Sequence, residues 1–321
     1  MSYLSDTASN GETPPNGQAD QIKPFMVETA GVRGRLVQLG DAVEEILSRH
    51  PYPAPVAALL AEMLALTAAL GSLLKLEGVF TLQTKGDGPI SLMVADMTAE
   101  GHLRGYADYK AEAFEGEQER QDLGQLLGKG YIAFTVDQGP NTERYQGIVE
   151  LRGARLSDSV QYYFRQSEQL STALSAAAGK NEAGSWRAGA IILQQMPPEE
   201  AREQGLEKES EREEGWLHAL TLMSTTKEEE LLSPELTPNE LLYRLYHEDG
   251  VRVFPGRRLG FGCRCSRERV ESVLNSIPDG DLEDLKLDDG RVEVVCEFCR
   301  TAYHFDDVDL AEIKAKGQTR N

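Results

Sequence analysis

Cysteine is nearly missing from this chain: 321 residues carry four, all between positions 263 and 299. Scattered structural thiols or constitutive disulfides would not cluster this way, so the four point to a metal or redox device. Positive charge is also short. Thirty-three Lys and Arg face fifty-three Asp and Glu, a net charge of −20, which repels phosphate backbones and argues against nucleic acid as a partner. A basic n-region with an apolar h-region is missing from residues 1–24, so no secretory signal is expected and a cytoplasmic location is. No G-x-x-x-x-G-K-[ST] loop occurs, and Gly128-Lys129 and Gly179-Lys180 lack its frame, so ATP is not an expected ligand. His50, His102, His218, His247 and His304 are scattered, and neither a Ser–His–Asp set nor a carboxylate pair stands out. An enzyme is not expected. Long apolar runs are scarce too. The one present, PVAALLAEMLALTAALGSLL at 55–74, is interrupted by Glu62 and has no basic flank, which predicts a buried core helix rather than a membrane span.

What is present divides the chain into four. Residues 1–24, rich in Ser, Thr, Asn, Gly, Gln and Pro, are expected to be disordered. From Phe25 the pattern turns globular. FMVETAGVRGRLVQLG reads as strands or a hairpin, and Asp41 as the cap of a short helix, AVEEILSRH, stopped by Pro51. FTLQTKGDGPISLMVAD reads as two strands joined at Gly86-Asp87-Gly88. LRGYADY, YIAFTVD, YQGIVELRG and AGAIILQQM add further strands, with a helix, VQYYFRQSEQL, between the last two. Strands in runs with interspersed helices predict an α+β domain over 25–197. At Pro197-Pro198 the character changes. Residues 199–214 hold eight acidic and three basic residues and present no apolar face, the pattern of an exposed linker or a weak solvated helix. Trp216, Leu217, Leu220, Leu222 and Met223 make a modest amphipathic stretch, and Thr237-Pro238-Asn239-Glu240 reads as an N-cap with Pro at N1 and Glu at N3. The segment 198–258 is therefore expected to be helical, poor in core residues and marginally stable. Either this stretch or the 59–74 helix could serve as a client surface, with core packing the plainer reading of both.

The last region, 259–321, carries the chemistry. Cys263-x-Cys265 is followed after thirty residues by Cys296-x-x-Cys299. A CxxC turn orients two sulfurs on one knuckle, and a CxC pair on extended backbone points both side chains to one face. Together they supply four thiolates for tetrahedral Zn²⁺, with iron the less suited metal. Such a site would hold together a region too small for a robust core. Ser266 can cap a helix with Val270, Val273, Leu274 and Ile277 on one side, and RVEVV with RTAYHFD predicts a hairpin turning at Cys296–Cys299. Each close pair could also form its own disulfide, so oxidation would remove the ligands and eject the metal. His304 could be a spare ligand, although a place in the hairpin suits it better.

FGCRCSRERV followed by VVCEFCRTAYHFD resembles the zinc signature of the redox-regulated heat-shock holdases, the thirty-three-kilodalton chaperonin family. VRGRLVQLGDAVEEILSRH, FTLQTKGDGPISLMVAD, RYQGIVEL, YYFRQSEQL and AGAIILQQMP resemble that family's N-terminal domain, in its order, and the likeness spans about 25–305. The resemblance implies an ATP-independent holdase, compact and inactive when reduced and zinc-loaded. Oxidation would pair Cys263 with Cys265 and Cys296 with Cys299, release zinc, unfold the 198–258 linker, expose apolar surface and allow a homodimer that holds unfolded client proteins. The tail and the acidic run from Glu199 look longer than that pattern needs. Two rivals remain. A nucleic-acid zinc ribbon is opposed by nine basic against fourteen acidic residues over 259–321. A thiol–disulfide oxidoreductase is opposed by the hairpin setting of a CxxC that would otherwise open a helix after a strand.

Overall fold

The fold is given by a computed structural model, which describes residues 20–115, 121–139, 142–167 and 171–318. Its centre is the apolar run. The helix α2 (Ala54–Gly71, following the short α1, Asp41–Leu47) is apolar around its whole circumference, with Leu60, Ala61, Met63, Leu64, Ala65 and Ala68 fully buried. A helix of that kind needs cover on every side. Two antiparallel sheets supply it. The first runs in the order β10-β1-β2-β9-β8, formed by β1 (Gln21–Val27), β2 (Val32–Leu39), β8 (Thr172–Lys180), β9 (Trp186–Gln195) and the short β10 (Val251–Val253), with β11 (Arg257–Arg258) also on β1. The second runs β12-β5-β4-β3-β6-β7, formed by β3 (Val79–Gly86), β4 (Ile90–Thr98), β5 (His102–Tyr109), β6 (Gly130–Asp137), β7 (Tyr145–Glu150) and β12 (Gly260–Phe261), which joins β5 in parallel. The helices α3 (Leu123–Leu127) and α4 (Leu156–Ser167) close one end. α2 is the one described helix long and apolar enough to cross a membrane, and 78% of its apolar window is buried between the sheets.

The first sheet is apolar on both faces. Val37, Leu39, Ala190 and Ile192 face α2, whereas Phe25, Val27, Val32, Leu36, Ile191 and Leu193 face the other way. Strands buried on both sides read as unbroken apolar runs, as AGAIILQQ does. The outer face is covered by three helices of the middle segment, α6 (Glu209–Ser224), α7 (Glu228–Leu232) and α8 (Pro238–Tyr246), which follow the short α5 (Pro198–Glu203). The expectation of a segment poor in core residues is corrected here. Leu231, Leu236, Leu241, Leu242, Leu245 and Tyr246 are buried against the sheet, and Tyr246 stacks on Phe25 at 5.8 Å between ring centroids. Short helices that each look thin in sequence converge on one apolar face. The acidic stretch 199–214 is mostly exposed, as expected, apart from Ala201.

Other expectations need correction. Residues 20–24, placed in the disordered tail, belong to the β1 edge, while 1–19 lie outside the described residues. Asp41 is not the cap of α1. Gly40 occupies the N-cap, and Asp20 caps from a distance, its carboxylate accepting from the Gly40 N–H and from the Ala42 N–H at 2.9 Å. A strand edge arriving beside the helix start does what a local side chain usually does. The Thr237 capping box is present as read, with the Glu240 N–H donating to Thr237 Oγ1 at 3.2 Å. Helix α4 matches the expected VQYYFRQSEQL helix as far as Ser167, and 168–170 lie outside the described residues. Strand β8, TALSAAAGK, was not anticipated. Ala, Ser and Gly have little strand preference, and pairing with β9 over its length overrides it.

Glu62, the charge that interrupts α2, lines a cavity of about 790 Å³ with Ala58, Leu59, Leu126 and Ala177. Burial pushes its carboxyl up to about 7, only partly offset by a hydrogen bond from the Ser157 backbone and by nearby Arg155. A folded value above the unfolded one means that the unfolded chain loses its proton first as pH rises. Stability associated with this group is thus complete below about 4.5, falls as pH rises, and is lost once pH passes about 7. Glu62→Gln should raise stability at pH 8 by on the order of 2 kcal/mol and flatten the wild-type decline between those limits, as measured by urea denaturation across pH. Equal slopes in both proteins would contradict this.

Candidate metal centre

Beyond β12 the chain stays extended, with the Gly262 N–H donating to Leu103 O at 2.9 Å, and this delivers Cys263 and Cys265. Ser266 then caps α9 (Arg267–Ser276), its hydroxyl accepting from the Arg269 N–H at 3.3 Å, so the CxC pair ends where a helix begins. α10 (Asp279–Asp284) follows, then the hairpin of β13 (Val292–Val295) and β14 (Ala302–Phe305), and α11 (Asp307–Gln318) closes the unit. Cys296 to Cys299 form the turn of that hairpin. The Cys296 N–H donates to Thr301 O at 2.9 Å and the Arg300 N–H to Cys296 O at 2.8 Å. Arg300 has φ of 60°, the one non-glycine residue in left-handed backbone among those described. That conformation costs an L-residue roughly 1–2 kcal/mol and tightens the knuckle so that both sulfurs face one way.

All four sulfurs lie within 4.8 Å of one another, with Cys263 and Cys296 3.7 Å apart and Cys265 and Cys299 3.3 Å apart. A tetrahedron with Zn–S bonds of about 2.3 Å has edges of about 3.8 Å, so this donor set fits zinc in spacing as well as in kind. Burial and the surrounding sulfurs hold the Cys265 thiol up at about 12, although the Tyr303 hydroxyl donates to it at 3.2 Å. Burial also works against the Cys299 thiolate, but the Thr301 side chain and amide, with the Cys265 and Cys296 sulfurs, outweigh it and bring the group down to about 6. Four ionised sulfurs this close repel one another, and a bound dication is the natural compensation. His304 is not among them. It sits opposite Glu293 on the hairpin, its Nδ1 3.4 Å from the Glu293 carboxylate. The unit's own core is small: Leu274, Leu282, Val292, Phe305, Leu310 and Ile313 are its buried apolar residues. Too little surface is removed from water to hold it without a cross-link.

Comparison with known proteins agrees with this geometry. A family profile described as Hsp33 protein matches residues 20–306. The chain belongs to the Hsp33 family. Within this family the similar proteins include a 33 kDa chaperonin of Caulobacter vibrioides, 39% identical over 293 residues that cover 89% of this chain and 95% of that protein. Another is a 33 kDa chaperonin of Escherichia coli, 38% identical over 297 residues, covering 92% and 96%. A crystal structure of the Hsp33 homologue from Thermotoga maritima superposes with a TM-score of 0.78 at 25% identity, covering 94% of this chain and all of that one. The Hsp33 fold accounts for the α+β architecture and for the C-terminal four-cysteine unit as one pattern, and this chain is a chaperone of that family.

Sequence reading found the four sulfurs and the hairpin. It missed the residues that surround the sulfurs: Thr301 within the knuckle, Tyr303 on β14, and Arg104 on β5, whose Nη1 lies 3.8 Å from Cys263 Sγ. Tyr303 and Thr301 stood in the RTAYHFD motif without a role. Arg104 is 159 positions from Cys263, and no local pattern could have linked them.

Freshly reduced protein should carry about one zinc per chain. Cys296→Ser and Cys299→Ser should each lose tight binding and loosen 259–318 without any oxidant, because three thiolates leave the shell open. Metal analysis with a chromogenic chelator tests both, and wild-type zinc retention in either variant would refute the four-ligand set.

Proposed function

We propose that this chain is a redox-regulated, ATP-independent holdase, with Cys263, Cys265, Cys296 and Cys299 as the zinc ligands and the switch. The observation that carries this is the four-sulfur cluster, joined through residues 251–262 to the segment that covers an apolar sheet face. Bound zinc would keep all four sulfurs as thiolates and cross-link the two halves of 259–321. On oxidation Cys263 bonds to Cys265 and Cys296 to Cys299. Each pair yields two electrons to one peroxide, which takes up two protons and leaves as two waters. The ligands are then gone, and the small core of this domain does not offset its chain entropy.

The organisation that goes with this is an N-terminal segment (1–19), a chaperone core (20–197) that begins with β1, a helical linker (198–258) and a redox domain (259–321). The linker is the element poised to move. β10 and β11 tie its end to β1, and β12 ties the redox domain to β5. Loss of the redox domain removes the last of these ties. Helix α6 is weakly held, since only Ala219 and Met223 along it are buried. Lifting α6–α8 would uncover Phe25, Val27, Val32, Leu36, Ile191 and Leu193, an apolar face suited to unfolded client proteins and to a second copy in a homodimer. The acidic surface fits neither nucleic acid nor ATP, the role is non-enzymatic, and the thiol chemistry suits the reducing cytoplasm.

Aggregation of thermally unfolding citrate synthase, followed by light scattering with reduced and oxidised protein side by side, tests the reading. Oxidised protein should suppress aggregation and reduced protein should not, whereas equal activity would overturn it. The linker step has its own test. A Cβ on Gly215 would lie 2.7 Å from Ala30 Cα, so Gly215→Val should push α6 off the sheet at a cost of about 1–3 kcal/mol. Reduced Gly215→Val should therefore hold citrate synthase without oxidant while keeping its zinc. In a Trp186→Phe background, Trp216, partly buried beside Met223, should shift to the red and quench more with iodide as activity appears. Activity with Trp216 still shielded would refute linker release.

A further inference from the structure

Asp96 lies on β4 with 3% of its surface exposed, and a buried carboxylate needs charge partners. It has three partners from three elements. Arg104, directly across on β5, donates from Nε at 2.8 Å. Thr81, directly across on β3, donates its hydroxyl at 2.7 Å. The third is Arg264, the residue between Cys263 and Cys265, which donates from Nη2 at 2.7 Å. Arg104 in turn reaches both halves of the sulfur cluster. Its Nη1 lies 3.8 Å from Cys263 Sγ, and its guanidinium stacks 3.9 Å from the ring centroid of Phe298, which stands between Cys296 and Cys299. Around this point the second knuckle meets the core elsewhere too. Arg49 Nη1 donates to Cys299 O at 3.1 Å, His50 Nε2 lies 2.7 Å from Glu297 O, and Tyr106 meets Phe298 edge-on.

The charges are lopsided. Two guanidinium groups share one buried carboxylate, so this platform carries an excess positive charge directed at the sulfurs. Four thiolates around a dication are a net anion, whereas two disulfides are neutral. We propose that Asp96, Arg104 and Arg264 form a redox-sensing electrostatic latch, which docks the reduced sulfur centre on the β4–β5 surface as an anion and loses its counter-charge when the disulfides form. The inference rests on the switch described above and deepens it. Oxidation then does two things at once: it removes the cross-link within the redox domain, and it leaves Arg104 and Arg264 around Asp96 without the sulfur anion that faced them. Arg104 is the positioning residue. Its partner Asp96 is set by strand register and does not depend on the redox domain, so the core half of the latch is preformed and the domain docks onto it.

The test uses the reduced, zinc-loaded full chain. Arg104→Met keeps the stem and removes the charge, with Asp96 still paired to Arg264 and Thr81. Arg104→Lys keeps the charge and loses the planar fork. Ile192→Val is a buried control for general destabilisation, and Arg152→Met a control for loss of an exposed charge. Zinc release to a chromogenic chelator is followed at low and high ionic strength, and hydrogen exchange is measured at Gly262, whose N–H bonds Leu103 on β5. The expected result is release about tenfold faster in Arg104→Met, partial rescue in Arg104→Lys, and faster exchange at Gly262. Salt should speed wild-type release but have little effect on Arg104→Met, a difference that a purely structural role would not produce. Release from Arg104→Met no faster than from Ile192→Val, with equal salt dependence, would overturn the latch. If wild type nevertheless binds zinc and releases it on oxidation, the switch stands without the latch. A wild type that binds no zinc would overturn both.

Discussion

A sheet with two apolar faces needs two covers, and this requirement organises the whole molecule. One cover is permanent. Helix α2 is apolar all round and is itself enclosed by the second sheet, so neither partner can leave without exposing the central core. The other cover is α6–α8, short helices laid over Phe25, Val32, Leu36 and Ile191 and tied down near their end by β10 and β11 on β1. Asymmetry between the two covers creates the possibility of a switch. The same hydrophobic effect holds both, and under the proposed mechanism it is the outer cover that lifts while the core persists.

The sulfur cluster sits in a domain with little core of its own. Six buried apolar side chains form its core, and a chain of that length gains too little from burial to balance its conformational entropy. In the proposed switch, stability concentrated in one metal cross-link is stability that oxidation removes in a single chemical event. A larger core would have made the domain sturdier and insensitive to redox state. The knuckle shows the same economy: Arg300 accepts a strained backbone angle so that Cys296 and Cys299 face their partners.

The charges along the chain serve different ends. The acidic run at 199–214 stays in water and disfavours tight packing of the linker start. The few arginines near the cysteines are placed where sulfur, backbone oxygen and carboxylate accept them: Arg104 at Cys263, Arg49 at the Cys299 carbonyl, and Arg264 on Asp96. The net charge of −20 therefore conceals a local cluster of arginines around the four sulfurs.

Much was legible in the sequence because it depends on local spacing. The CxC and CxxC pairs, the Ser266 and Thr237 caps, the hairpin around Cys296–Cys299 and the buried α2 all follow from residues within a few positions of one another. Other features come from residues far apart in the chain, which only the tertiary structure brings together. Asp20 caps α1 from a strand edge, Ala-rich β8 is a strand because β9 is beside it, and thin-looking helices become a core by converging on one sheet face. The sulfur site divides along the same line. Its four sulfurs are written as a spacing, so the sequence by itself determined the candidate ligands. What steadies them, Arg104 on β5 and Asp96 behind it, only the fold decided, because the β4–β5 hairpin that sets those two side chains opposite each other meets Cys263 from 159 positions away.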